Sequence, residues 1–255
     1  MTTVDAAPTA IRPLDFDRAA LFLDVDGTLL DIAPTPSGVA TPDGLVASLA
    51  RLEAALGGAL AIVTGRTLAD VDRLFRPLTT RAAGVHGAEM RFEPDGEVVV
   101  VAAELPGRLR RALDAALSEF SGVFVEDKRF AFAVHYRAAP DAAAALRAAL
   151  SRLAEAEAGL DLEVAAGGFV YELKPRGFDK GRAVARFLAR EPFAGRTPVF
   201  VGDDAADESA FAATADRRGV AYAVGRARPG VAEVFADPAT VRRWLAALAD
   251  RRWAT

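Results

Sequence analysis

Short apolar runs alternate with stretches of helical spacing at both ends of this chain. Residues 20–25 open with Ala-Leu-Phe-Leu, an apolar run that predicts a strand buried on both faces, as in a parallel sheet. Leu45, Leu49, Leu52 and Leu56 then recur every three or four positions, which predicts a helix stopped by Gly57-Gly58. Residues 59–63 and 81–85 read as two more strands, with a short helix over 67–75 between them. The order β-α-β-α-β is the signature of a parallel sheet with right-handed crossovers. Pro34, Pro36, Gly38 and Pro42 make 32–42 a loop, and residues 1–18 read as a loose lead-in.

From about residue 88 the rhythm changes. Residues 90–92 and 98–101 flank Glu93-Pro94-Asp95-Gly96-Glu97, which predicts a hairpin. Two more hairpins are predicted, 122–126 with 130–136 around Asp127-Lys128-Arg129, and 160–165 with 169–173 around Ala166-Gly167-Gly168. Helices over 105–120 and 140–156 join them. Hairpins linked by helices make an antiparallel α+β unit. After Lys174-Pro175 the β-α alternation resumes, with strands at 197–201 and 220–224 and helices at 179–190, 206–213 and 238–250. The expected fold is therefore α/β: a Rossmann-like parallel-sheet core from 1–87 and 174–255, with an antiparallel α+β cap, 88–173, inserted into it. Pro175 and Gly177 suit a hinge, and no internal repeat is visible.

Composition narrows the function classes. At 255 residues and 52% hydrophobic, the chain can bury a sizeable core. Cysteine is absent, so neither disulfides nor thiol chemistry enter. A net charge of −4 gives no support to nucleic-acid binding, and no apolar run has membrane-spanning length. Residues 1–12 lack the charged start and apolar centre of a secretory leader, so a cytoplasmic location is expected. Among 31 Lys and Arg residues only Lys128, Lys174 and Lys180 are lysine. Arginine supplies ordinary surface charge here, which marks each lysine as a place where a compact ammonium is needed.

The candidate chemistry sits at strand ends, where ligands bind in open α/β sheets. The first strand delivers Asp24-Val25-Asp26-Gly27-Thr28, two neighbouring acids that need a cation or a proton to balance them. A calcium loop would place its glycine at position six, not four. Thr64-Gly65-Arg66 lies between a strand and a helix, where backbone N–H groups favour anions; an ordinary helix cap accounts for the same residues. Lys180 opens a predicted helix, against the helix dipole, so it either faces solvent or meets an anion. Gly202-Asp203-Asp204-Ala205-Ala206-Asp207-Glu208 follows another strand; its later acids suit a first helical turn, and Asp203 is the one that turn does not explain. Two acid clusters at strand ends of one core point to a hard divalent cation, Mg²⁺. With Thr64 and Lys180 as donors, they make a device for handling phosphate.

In order and placement these pieces resemble the haloacid dehalogenase-like phosphatase superfamily. Together with Gly84-Val85-His86-Gly87-Ala88-Glu89, His135-Tyr136-Arg137, Glu172-Leu173-Lys174-Pro175-Arg176-Gly177 and Gly195-Arg196-Thr197-Pro198, they resemble the bacterial trehalose-6-phosphate phosphatase family over nearly the whole chain. The resemblance implies Mg²⁺-dependent hydrolysis of trehalose 6-phosphate, with a small sugar phosphate as partner, no nucleic acid, no membrane, and a monomer. It implies that Asp24 is the nucleophile and that Asp26 protonates the departing sugar oxygen, then deprotonates the attacking water. Asp24, the Asp26 carbonyl and Asp203 would hold Mg²⁺, Asp204 and Asp207 its waters or Lys180, and Thr64 and Lys180 the phosphoryl group. Arg66, His86, Glu126, Lys128, Arg137, Glu172 and Lys174 fall on the substrate side. From residue type alone, Glu126 and Lys128 also suit a solvated hairpin pair, and His86 a packed core histidine; His135 and Tyr136 suit packing near the hinge. One departure stands out: the family often has a basic residue four positions before the cap glutamate, and here that position is Gly168. Related sugar phosphatases (for sucrose phosphate or glycosyl-phosphoglycerates), a phosphosugar mutase and a non-catalytic sensor are the competing readings; retention of both Asp24 and Asp26 argues against the sensor.

Overall fold

The computed structural model describes residues 14–33 and 38–251. Most of the predicted lead-in, through residue 13, and Pro34 and Pro36 of the predicted loop lie outside the described residues. Six parallel strands form the body of the larger sheet: β1 (Ala19–Leu23), β2 (Leu60–Val63) and β3 (Arg81–Gly84) from the first part of the chain, and β10 (Thr197–Gly202), β11 (Val220–Val224) and β12 (Glu233–Phe235) from the last. Their spatial order is β12-β11-β10-β1-β2-β3. All five residues of β1 are buried, which fits its place between β10 and β2 and explains its unbroken apolar run.

The register positions the chemistry. Leu23 of β1 lies beside both Val201 of β10 and Ile62 of β2. The residues just past these three strands, Asp24, Asp203 and Thr64, therefore leave the sheet along one edge. The helices α1 (Leu45–Ala55), α2 (Leu68–Leu74), α5 (Lys180–Leu188), α6 (Glu208–Ala215) and α7 (Pro238–Arg251) connect or follow these strands; α1 packs against α7 and α5 against α6. Under β1, the fully buried Phe22 ring stacks on Phe193 at 5.4 Å and tilts against Phe187 at 6.1 Å. Phe22→Ala is expected to cost about 3–5 kcal/mol of stability, read as a lower urea midpoint at unchanged slope. A cost under about 1 kcal/mol would mean that this aromatic cluster does not anchor the sheet.

The second sheet is wholly antiparallel, in the order β6 (Phe124–Asp127), β7 (Phe132–His135), β9 (Val170–Pro175), β8 (Leu162–Gly167). Helices α3 (Gly107–Leu117) and α4 (Ala143–Ala156) give it a core of its own, where Leu109, Leu113, Leu146 and Leu150 meet Phe132, Val134 and Leu173. The architecture is thus mixed α/β, with a largely parallel sheet and a separate antiparallel one.

Three features depart from the sequence reading. The hairpin expected to belong with the antiparallel insert, β4 (Glu89–Arg91) with β5 (Val99–Val100), instead extends the larger sheet. After β3 the chain reverses within residues 85–88 and pairs back, Gly84 with Glu89 and Ala83 with Met90, and the buried Met90 joins the larger core. The strand β12 was not anticipated; it has three residues, only Phe235 of them buried, too few to carry a pattern. The β8–β9 turn narrows to Gly168-Phe169, because β8 runs two residues further than expected, through Gly167.

Candidate active site

Asp24, one residue beyond β1, is only 4% exposed. The carboxylates of Asp24, Asp203 and Asp207 offer oxygens that all lie within 4.8 Å of one another. The Thr28 hydroxyl lies between Asp24 Oδ2, at 3.3 Å, and Asp203 Oδ1, at 3.4 Å. Gly27 makes this approach possible. Its φ is +77°, and a Cβ there would meet Asp203 Oδ2 at 2.2 Å.

Lys180, at the first position of α5, meets the cluster from the other side. Its Nζ donates to Asp24 Oδ1 at 2.6 Å and to Asp207 Oδ1 at 2.7 Å. Asp207 turns its other oxygen inward, accepting from the backbone N–H groups of Asp203 (2.9 Å) and Asp204 (3.1 Å), so it fixes both the strand-end loop and the ammonium. Asp204 accepts from Ala206 N at 2.9 Å as the cap of the following turn. It lines the cleft, but its carboxylate stands outside the three-acid group.

Three carboxylates facing one ammonium leave two negative charges uncompensated. Burial pushes the Asp24 carboxyl well above the usual carboxylate range; Lys180 pulls it back, and Asp207, Asp203 and Asp204 add to the rise. Asp203 is pushed up to about 7, by burial first and then by Asp204 and Asp207. Burial likewise raises Asp207 against the pull of Lys180. Burial alone would lower the Lys180 ammonium, but the charges of Asp207 and Asp24 outweigh it and hold its pKa well above the ordinary lysine value. An all-oxygen donor set short of two positive charges fits a hard divalent cation such as Mg²⁺.

Asp26 takes no part in that cluster through its side chain. Arg66 grips it as a fork, Nε to Oδ2 at 2.6 Å and Nη2 to Oδ1 at 2.5 Å. The guanidinium is 7% exposed and the Asp26 side chain 41%, so the acid stands at the cleft wall on a buried support. The Arg66 backbone N–H donates to Thr64 Oγ1 at 3.2 Å, which leaves the hydroxyl proton of Thr64 to point elsewhere.

The antiparallel unit roofs a cleft of about 390 Å³ whose floor includes Asp24, Asp26, Thr64, Lys180 and Asp203. On the roof, Lys128 Nζ donates to Glu172 Oε1 at 2.7 Å and to the Gly65 carbonyl of the floor at 2.9 Å. His86 pairs with the other oxygen of Glu172. Glu126 pairs with His135 Nε2 at 3.0 Å. Burial would raise the buried Glu172 carboxyl, yet the charges of His86 and Lys128 hold it well below the usual range. For Lys128 burial would lower the ammonium, and Glu172 and Glu126 reverse that. Arg137 lies over the Phe169 ring at 4.9 Å and donates to the Gly168 carbonyl at 3.5 Å. A guanidinium thus stands at the hairpin tip where Gly168 offers no side chain.

Every substrate-side residue read from the sequence lines this cleft. They do not all point the same way. Lys174 is spent on Glu163, at 2.6 Å, and on the Phe178 carbonyl, at the junction of β9 with the larger unit. Arg66 serves Asp26. Three participants were missed. Thr28 bridges two acids. His135, read as packing, orients Glu126 within the cleft. Arg228 donates to the Asp203 carbonyl at 3.1 Å and to Glu208 at 2.9 Å, steadying the strand-end loop from 25 residues away. Nothing in the sequence marks Arg228 among so many arginines; Thr28 was visible beside Asp26-Gly27. The Glu89 of His86-Gly87-Ala88-Glu89 accepts from Leu68 N at 2.8 Å, so it caps α2 and serves the fold.

The chain is similar to known proteins over most of its length. The family model described as trehalose-phosphatase matches residues 22–236, a span from the first strand through β12. A protein of Sinorhizobium fredii (strain NBRC 101917 / NGR234), described as a probable trehalose-phosphate phosphatase, is 44% identical over 238 residues, covering 92% of this chain and 89% of the relative. The trehalose-6-phosphate phosphatase of Escherichia coli (strain K12) is 38% identical over 232 residues, 89% of this chain and 85% of its own length. A solved structure, described as a trehalose-6-phosphate phosphatase related protein, superposes with a TM-score of 0.75 at 26% identity, covering 92% of this chain and 98% of that one. On the extent of the family match and of both relatives, the chain belongs to the trehalose-phosphatase family.

Proposed function

We propose that this phosphatase hydrolyses trehalose 6-phosphate to trehalose and phosphate, with Mg²⁺ as cofactor and a phosphorylated Asp24 as intermediate. The observation that carries the reading is the Asp24–Lys180–Asp203–Asp207 cluster, buried except at the half-buried Asp203, opening into a cleft roofed by Glu126, Lys128 and Glu172. Asp24, the Asp26 carbonyl and Asp203 would hold Mg²⁺, which supplies positive charge to the phosphate oxygens as charge shifts in the transition state.

The chain's own groups divide the rest. Asp24 Oδ1 is committed to Lys180, so Oδ2 is the freer oxygen to attack phosphorus. As that bond forms, the bond from phosphorus to the sugar oxygen breaks, and Asp26 delivers a proton to the departing oxygen. Water then attacks the phosphorylated Asp24, Asp26 takes its proton, and phosphate and free carboxylate result. The Arg66 fork uses one lone pair on each Asp26 oxygen and leaves others for these transfers. Lys180 spends two of its three protons on Asp24 and Asp207, leaving one for the phosphoryl group; the Thr64 hydroxyl supplies another donor.

The antiparallel unit acts as a cap that reads the sugar, because buried polar groups left unpaired by a wrong sugar discriminate strongly. One copy of the chain supplies both floor and roof, so a monomer suffices. The test is phosphate release from a panel of sugar phosphates, with Mg²⁺ and with chelator. Trehalose 6-phosphate is expected to exceed glucose 6-phosphate by at least about 100-fold in kcat/KM, with turnover lost on chelation. Equal kcat/KM for the two esters would defeat the substrate assignment; undiminished turnover in chelator would defeat the cofactor.

A further inference from the structure

Glu172, on β9 of the cap, reaches the floor through two partners. One oxygen pairs with His86, which the larger unit carries between β3 and β4. The other accepts from Lys128, which also holds the floor's Gly65 carbonyl. Glu172 is 7% exposed and His86 7%. This contact lies over the cleft and joins two units whose main cores are separate, beside a small shared cluster in which Val85 and Ala88 meet Phe130 and Ala131.

The turn that reverses the chain between β3 and β4 presents His86 to that contact. His86 is left-handed, at φ 55° and ψ 28°, and the β-branched Val85 before it is also left-handed, at φ 45°. Side chains rarely adopt this region, and β-branched ones least of all. Such strain persists only where surrounding structure over-determines it, and it gathers at functional sites. The opposite wall has made room as well. A Cβ on Gly65 would meet His86 Nε2 at 2.9 Å and Cε1 at 3.0 Å, so a glycine there is what lets the imidazole lie across the floor to Glu172. The turn serves the β3–β4 reversal as well, but a histidine that merely filled the core would not need the bare glycine.

We propose that His86 is a positioning residue for sugar recognition, a side chain of the catalytic unit that aims the cap's Glu172 carboxylate into the cleft. The inference rests on the sugar-phosphatase reading above. Donor and acceptor numbers show what the arrangement leaves available. A carboxylate has about four acceptor sites, and His86 and Lys128 occupy two of them. An ammonium has three protons, and Glu172 and Gly65 take two from Lys128. Acceptors and a donor remain side by side, held before substrate arrives, which is the complement a sugar hydroxyl presents. Without His86, Glu172 keeps its charge partner Lys128 but loses the contact that orients its second oxygen.

The test is a double-mutant cycle of His86→Asn and Glu172→Gln, run on the sugar phosphate the wild type hydrolyses best and, in parallel, on an aryl phosphate with no sugar. Asparagine tolerates the left-handed backbone and is too short to reach Glu172, so the turn is kept while the contact goes. For His86→Asn, kcat/KM on the sugar phosphate is expected to fall roughly 10- to 100-fold through KM, and at least about tenfold more than on the aryl phosphate. The double variant is expected to lose no more than Glu172→Gln alone. Parallel losses on both esters, or losses that multiply in the double variant, would overturn the proposal and leave His86 a fold residue. A best substrate other than trehalose 6-phosphate would defeat the substrate assignment while the cycle, run on that ester, still decides the role of His86.

Discussion

Asp24→Asn is expected to remove turnover, by about 10,000-fold or more in kcat, without unfolding the protein. The loss follows from chemistry at one atom: the amide oxygen is too weak a nucleophile toward phosphorus to replace a carboxylate. The fold should tolerate the change better than a typical substitution of a buried charge. Asp24 sits among Asp203 and Asp207 with Lys180 to offset them, and burial already pushes its carboxyl well above the usual range. Asparagine keeps the shape, can still accept from Lys180, and removes one of the crowded charges. Stability without divalent cations is therefore expected to hold or rise, read by urea unfolding beside a phosphate-release assay. Turnover within about 100-fold of wild type would assign the nucleophile elsewhere.

What made Asp24 legible in the sequence was its position after an unbroken apolar run. A buried parallel strand leaves a plain signature, and the register that sets Leu23 beside Val201 and Ile62 brings the residues after each strand together. Asp24, Thr64 and Asp203 could be found that way, and Lys180 stood out because lysine is so rare here. Contacts made by side chains across long separations left no such mark. That Arg66 would clamp Asp26, 40 residues away, follows only from folding β1 beside β2. Glu172 and His86 meet because the antiparallel unit packs over the turn at 85–88, and His135 finds Glu126 because β6 and β7 pair as a hairpin. The β4–β5 hairpin shows the same limit for backbone: its alternation predicts two strands, and only the tight reversal at 85–88 decides which sheet receives them.

Lys180→Met is expected to damage both stability and turnover, and its pH dependence identifies the cause. The ammonium is 3% exposed and bonded to Asp24 and Asp207. Removing one partner from a buried ionic cluster costs about 3–5 kcal/mol, because the remaining charges stay buried and unpaired. Turnover should fall by about 100- to 1,000-fold for loss of a donor aimed at the phosphoryl group. The sign of the pH effect follows from Asp203, whose pKa near 7 in the fold is far above its ordinary value of about 3.9. The folded protein therefore holds this proton more tightly than the unfolded chain. The resulting stabilisation is full below the ordinary value and is lost as pH rises through about 7. Without Lys180, the influence that lowers Asp24, Asp203 and Asp207 is gone, so all three move further up and the loss deepens on the alkaline side. The variant's stability deficit, measured by urea unfolding in chelator, should thus be small near pH 5 and largest near pH 8. Saturating Mg²⁺ at pH 8 should return part of the stability, since it binds the folded state and balances the same carboxylates. It should not return turnover, because the missing donor belongs to Lys180 and not to the acids. A deficit that stays flat from pH 5 to pH 8 would mean that Lys180 acts through packing, and that the three acids do not need its charge.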